Sequence, residues 1–222
     1  MRTTVHFSIV IALLGLFSPG AHAQMQRWYA FADAGGNVTT DTDLKSFFGE
    51  PLAPDAKIKF DPGIRFGAGA GFRVTQWLGT EFQSGFYGNE IKSMSDASRV
   101  DAWFYNVPLI ANVRLECPRW DFFRPYIGGG AGVSFPTLDA DRIEIGGTSM
   151  HGSDTDEVFA YQAFGGLRFK LNDQMGLSLE YRYFHADDAE WKAEFSSGTG
   201  SDKLRFGATD THSLSIVFDY RF

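Results

Sequence analysis

Between Arg182 and Trp191 the chain reads RYFHADDAEW, the stretch where catalysis would most readily be placed. A hydrolase of the serine type needs a hydroxyl nucleophile, a base beside it and a group that orients the base. His185 supplies a base, but two positions later stands Asp187 and not a serine, so the hydroxyl is missing. His151 and His212 lie apart near other connectors and are expected at solvent, not as ligands. Cys117 is the single cysteine; no intramolecular disulfide and no Cys-x-x-Cys metal or redox motif is available.

Acidic runs are the second candidate: Asp139-Ala140-Asp141, Asp154-Thr155-Asp156-Glu157 and Asp187-Asp188-Ala189-Glu190. Hard oxygen ligands of this kind can bridge a divalent cation to phosphate groups. None has the glycine and spacing of a calcium loop, so a solvated face is the simpler expectation, with no metal and no cofactor. LKSFFGEPL, Leu44 to Leu52, carries Phe47 and Phe48 into a connector, where they would cover an opening or meet a partner.

A third set of charges is defined by period. Twelve ionisable residues, Asp33, Arg65, Arg73, Glu81, Arg114, Glu116, Arg168, Lys170, Glu180, Arg182, Asp219 and Arg221, each alternate with an apolar row. The rows belong to eight strands with a repeat of two, at about Trp28–Gly35, Gly63–Val74, Leu78–Tyr87, Val100–Cys117, Tyr126–Phe135, Val158–Lys170, Gly176–Phe184 and Leu214–Phe222. In the last, LSIVFDYRF, Leu214, Ile216, Phe218, Tyr220 and Phe222 share one side to the final residue. Gly128, Gly130 and Gly132 are expected to make room for large inward neighbours such as Phe104 and Phe164. Pro108, lacking a backbone donor, should mark a bulge or a ladder break.

The compartment is read from the first residues. A short basic start at Arg2, an apolar run from Val5 to Phe17 and Ala21-His22-Ala23 fit a cleavable signal over 1–23, leaving one domain over 24–222. Of 20 Lys and Arg, one is in that signal, leaving 19 against 27 acids, a net charge of −8. That balance is unfavourable for nucleic acid, whose binding rests on basic charge. Aromatics reach 16%, with 22 Phe and 25 Gly, which favours β structure.

Connectors alternate in length. Short turns fall at 75–77, 118–122 and 171–175, and long segments at about 36–62, 88–99, 136–157 and 185–209. Short turns at one end and long loops at the other are the pattern of bacterial outer-membrane barrels. Alternation alone also fits a soluble barrel with its apolar face inward. Trp28, Trp77, Tyr87, Trp103, Trp120, Tyr126, Tyr183 and Phe222 at strand ends favour lipid outside, as girdles. Five acids and seven bases would then face a narrow lumen and have to pair there.

Several stretches carry a family resemblance: NVPLIANVRLE in the fourth strand, RPYIGGGAGVSF in the fifth, FGAGAGFRV in the second and SLEYRYF in the seventh. They resemble the opacity/Omp25-type outer membrane β-barrel proteins, relatives in architecture of the OmpA transmembrane domain and OmpX. WYAFADAG is similar to the first OmpA strand, with Asp33 where that strand has an inward lysine. The resemblance implies a closed eight-stranded antiparallel transmembrane β-barrel, all-β, an up-and-down meander in the cell outer membrane. It implies that the terminal row Leu214, Ile216, Phe218, Tyr220 and Phe222 is read by the barrel-assembly machinery. Outer membrane lipid and lipopolysaccharide are the implied surroundings. RYFHADDAEW is also similar to the His-x-Ser segment of lipid A deacylases, but without its serine. The expected function is non-enzymatic: a structural surface protein whose acidic loops contact the envelope or a host partner. A small-solute porin-like channel is the alternative; a lipid A-modifying enzyme and a periplasmic lipocalin-like binding protein follow.

Overall fold

The computed structural model describes residues 27–47, 50–51, 56–95, 97–145, 148–195 and 201–222; the signal segment lies outside them, as does Phe48. These residues form fourteen strands: β1 (Trp28–Thr39), β2 (Thr42–Phe47), β3 (Glu50–Pro51), β4 (Lys57–Phe60), β5 (Gly63–Arg73), β6 (Leu78–Met94) and β7 (Ala97–Glu116). They continue with β8 (Phe123–Ile145), β9 (Thr148–Thr155), β10 (Val158–Lys170), β11 (Met175–Ala186), β12 (Ala189–Phe195), β13 (Ser201–Phe206) and β14 (Thr209–Arg221).

Eight of them, β1, β5, β6, β7, β8, β10, β11 and β14, close an antiparallel barrel in chain order. Tyr29 pairs with Arg221 and Thr39 with Thr211 across the seam that joins the first strand to the last. Closure leaves these strands no lipid-facing edge, which hydrocarbon would not tolerate. The eight strands are those expected from the period-two pattern. Pro108 breaks the ladder without a bulge: β6 pairs with β7 at Ser84–Leu109 and again at Tyr87–Asn106 in the same register, with nothing paired between.

Phe82, Ile127, Leu214 and Ile216 are more than half exposed on the outer wall, and their rows turn toward lipid. A contiguous apolar surface of this extent is not sustained in water. Trp28, Trp77, Trp120 and Phe222 ring the turn end; Trp103, Tyr161 and Tyr181 ring the other limit of the apolar band, all well exposed.

The long connectors differ from expectation. The segments read as loops are largely strand: β8 runs 23 residues and β7 runs 20. At about 3.3 Å per residue, β8 extends roughly 75 Å, far beyond a hydrocarbon core of about 30 Å. Beyond the membrane the sheet continues in the order β6-β4-β2-β13-β12-β9-β8, forming an extension of the barrel wall.

In the extension the polarity of the two faces inverts. On β4 Ile58 and Phe60 are buried while Lys57 and Lys59 face out. Leu44, Ile91, Phe104, Leu138, Ile143, Phe184, Trp191, Leu204 and Phe206 join them in one hydrophobic core. Phe104 meets Phe60, Trp191 and Phe206. With water outside, the interior is the only place apolar side chains can leave it.

Candidate functional site

Below that core the lumen is polar, and its charges lie in tiers. Nearest the core, Arg65 on β5 pairs with Asp33 on β1 and donates to Ser215 Oγ at 3.1 Å. Its guanidinium sits 5.1 Å from the Tyr87 ring, and Tyr87 stacks on Phe184 at 4.7 Å, where the apolar region starts.

In the middle tier Arg182 reaches Glu180 at 2.6 Å and donates to Gln83 Oε1, also at 2.6 Å. Gln162 donates to Asn112 Oδ1 at 2.7 Å and to Gln83 Oε1 at 3.2 Å. Tyr126 donates to Glu180 at 2.9 Å, and Tyr29 to Glu81 at 2.7 Å. Arg114 joins Glu81 at 3.3 Å with its guanidinium 3.6 Å above the Tyr126 ring. Such contacts compensate for the loss of hydration that burial imposes on each ion.

In the tier nearest the short turns, Arg168 binds Asp219 through two hydrogen bonds of 2.7 Å. Glu116 receives Arg124 and Arg221 at 3.3 Å each. A cavity of about 20 Å³ opens here among Tyr29, Arg73, Arg114, Glu116, Asp219 and Arg221.

Of the twelve charges singled out by period, Asp33, Arg65, Glu81, Arg114, Arg168, Glu180, Arg182 and Asp219 are buried in the lumen. Glu116 and Arg221 keep 12% of their side chains exposed, and Arg73 is half-buried at the mouth. Lys170 differs: its side chain is 38% exposed at the rim and bridges at 2.6 Å to Asp173 in the adjoining turn. The neutral partners Tyr29, Gln83, Asn112, Gln162 and Ser215 were not singled out, although each shares the parity of the charges. Tyr126 and Tyr87, expected in the outer aromatic girdle, are instead buried inside the barrel, because each stands on the inward parity of its strand. Arg124 lay before the expected start of its strand.

Room for the large groups comes from glycine. A Cβ on Gly128 would stand 2.4 Å from the Phe164 ring. Phe104 makes no such use of Gly130 or Gly132, which face Asn112 and Ile110 respectively. The terminal row is outward: Leu214, Ile216, Phe218 and Phe222 are exposed, and Tyr220 is edge-on to Phe222 at 5.4 Å.

A separate cluster lies on the outer wall at the membrane's far boundary. His185 Nδ1 donates to Asp210 Oδ1 at 2.7 Å, and Tyr183 donates to the same oxygen at 2.6 Å. Tyr161 stacks on His185 at 4.6 Å, while Tyr181 hydroxyl and His212 Nδ1 are 2.7 Å apart. His185 Nε2 is 3.3 Å from Asp187 Oδ1. This is an oriented base with a carboxylate beside it, and at neutral pH a carboxylate has no proton for the base to remove. Asp210 stands at the start of β14, above that boundary; its partial burial disfavours the ionised form, but the Tyr183 hydroxyl and the His185 imidazole outweigh this and hold its carboxyl below the usual range.

The acidic runs are dispersed. Asp156 accepts the backbone amides of Glu157 and Glu190, and Asp188 receives Lys45 at 2.5 Å and Arg205 at 3.3 Å. Among the described residues, no three His, Cys, Asp or Glu side chains converge as a metal site.

Residues 9–222 match the family described as outer membrane protein beta-barrel domain. The chain belongs to that family. Among its relatives is an uncharacterized protein of Brucella abortus (strain 2308), 24% identical over 93% of this chain and 89% of that protein. An uncharacterized protein of Brucella melitensis is similar at the same identity and coverage. OprG of Pseudomonas aeruginosa superposes on this barrel with a TM-score of 0.60 and 16% identity, over 88% of this chain and 96% of OprG. Neisserial surface protein A follows at 0.54 and 15%, over 88% and 97%. The outer membrane protease OmpT of Escherichia coli reaches 0.55 at 6% identity, over 89% and 97%. At such identities the likeness is one of fold, and this family member's chemistry has to be argued from its own residues.

Proposed function

We propose that this outer membrane barrel is sealed and non-enzymatic, and that it acts through the surface of its extracellular extension. The observation that carries the reading is the apolar core above the charge network. Trp191, Phe104, Phe184 and Phe206 fill the extension and are at most 2% exposed. An eight-stranded barrel leaves an interior just wide enough for side chains, and here those side chains are paired ions below and packed rings above. The wall presents Lys57, Lys59, Lys45 and Arg205 interspersed with Asp43 and Asp188, a mixed charged face suited to lipopolysaccharide or a host surface. Export through residues 1–23, and recognition of the row ending at Phe222 by the assembly machinery, belong to the same reading.

The test begins with outer-membrane fractionation and gel mobility with and without boiling, then planar-bilayer recording and lipid A mass spectrometry. The expected result is a heat-dependent mobility shift, no discrete conductance steps and unchanged lipid A. Reproducible steps would make the protein a small-solute channel. Altered lipid A, restored by His185→Ala, would make it an enzyme. Recovery as a soluble periplasmic protein would overturn the barrel's orientation altogether.

A further inference from the structure

We propose that the outer wall where β7 ends and β8 begins is a binding groove for one acyl chain of an inner-leaflet phospholipid. The first observation is a shallow hollow of about 360 Å³, lined by Trp77, Leu115, Cys117, Pro125 and Ile127. Its floor is continuous sheet: Leu115 pairs with Leu78 on one side and Ile127 on the other, and the Cys117 amide donates to the Pro125 carbonyl at 2.9 Å. A volume of this size lies in the range of small-molecule sites. It opens on the face that Leu115, Ile127 and Val113 turn toward hydrocarbon, so its occupant comes from the membrane.

The second observation is that the hollow runs on toward the membrane centre. One level of the wall reads Phe82, Ala111, Ala131, Tyr161 across four adjacent strands, two large side chains with two small ones between them. Next below Ala131, Gly129 pairs with Ala163, and Ile127 pairs with Gly165. Inward glycines make room for protein, as Gly128 does for Phe164. These outward ones do not. A Cβ on Gly165 would meet Ile127 Cγ2 and the Tyr126 carbonyl at an ordinary 3.5 Å, and one on Gly129 would meet backbone alone. The third observation is length. Pro125 to Ala131 is six steps of β8, roughly 20 Å of strand. Tilted by about 40°, it covers about 15 Å of depth, one leaflet of a hydrocarbon core about 30 Å thick. At the turn end stands the exposed Arg119, its guanidinium 5.8 Å from the Trp120 ring, a cation at the level of a lipid phosphate.

Photolabelling of the refolded full chain tests this. The probe is phosphatidylglycerol with a diazirine in one acyl chain, carried in bilayers of phosphatidylethanolamine and phosphatidylglycerol. Labelling at Leu115, Ile127 and Ala131 should exceed severalfold that at Leu214, Ile216 and Phe218, which also face lipid but on β14. Gly165→Leu, which projects a side chain into the furrow, should lower it to the β14 level while keeping the heat-dependent gel shift. Ala34→Leu, on β1, should leave it intact. Equal labelling of the two rows would mean ordinary surrounding lipid and overturn the proposal, as would undiminished labelling in Gly165→Leu. Efficient bridging of two chains through Cys117 by a short bismaleimide would overturn it too, giving the groove to a second copy. If Gly165→Leu does not fold, the ratio of the two rows and the bridging result on the unaltered chain decide alone.

Discussion

Arg168 on β10 holds Asp219 on β14 by two hydrogen bonds of 2.7 Å, reaching past β11, which lies between those strands. It passes through the gap at Gly176, where a Cβ would stand 2.3 Å from Arg168 Nη2. Neighbouring strands bring side chains together by register; this pair exists only because the wall curves and brings alternate strands within reach across the lumen.

Removing one partner of that pair should therefore be severe. Among the described residues, Arg168→Leu leaves Asp219 with Arg221 Nε at 3.6 Å as its remaining ion-pair partner. The expected loss is about 3–5 kcal/mol in denaturant unfolding of the refolded barrel, with the Arg168→Leu/Asp219→Leu double variant losing less. A double variant as unstable as the single would show that the uncompensated charge is not the cause.

Gly128→Ala should destabilise by about 1–3 kcal/mol, because the added methyl overlaps the Phe164 ring. Combining it with Phe164→Leu should recover part of the loss in the same unfolding assay. No recovery would assign the effect to the nearby Val113 carbonyl, 2.7 Å from the added carbon.

The extension should be separable from the lower barrel in its response to damage. Trp191 is 2% exposed and packs on Phe104 and Phe206. Trp191→Ala should cost the extension about 3–5 kcal/mol. Protease added to intact cells should then cut within 189–206, while the heat-dependent mobility of the remaining barrel persists. Uncut protein would argue against a cooperative core in the extension.

Acid should loosen the wall at Asp210 only after ordinary carboxylates have taken up their protons. Its carboxyl is held below the ordinary value, about 3.9 for an unperturbed aspartate. A depressed carboxyl contributes stability that is present above the unfolded value and lost as pH falls through the folded one. Amide exchange at Thr209 and Thr211 should accelerate only below about pH 4, and carboxyl NMR should report Asp210 titrating below that point. In His185→Ala the titration should move upward toward the ordinary value. An unchanged titration would leave the Tyr183 hydroxyl as its sole support.

Much of the membrane-spanning barrel could be read from its period. Val158–Lys170 was expected as a strand with those bounds, and Phe159, Tyr161, Leu167 and Phe169 turn outward as the alternation implies. The extension was not legible in the same way. Strands such as β4 are four residues long, too short to stand without a sheet, and Lys57-Ile58-Lys59-Phe60 reads as a charged connector. Only pairing β4 with β2 and β6 gives Ile58 and Phe60 a core to enter.

The sequence by itself determined which residues share a face, because a strand's side chains alternate whatever surrounds them. It determined the order of the eight strands and the polar identity of the row opposite the lipid. The tertiary structure decided which solvent each face meets. The same alternation turns charge inward between Arg65 and Arg221 and outward at Lys57 and Lys59, since hydrocarbon lies outside one part of the wall and water outside the other. It also decided which ions pair, for Arg168 and Asp219 are joined by closure and curvature of the wall, and neither property is written in the spacing of residues along one strand.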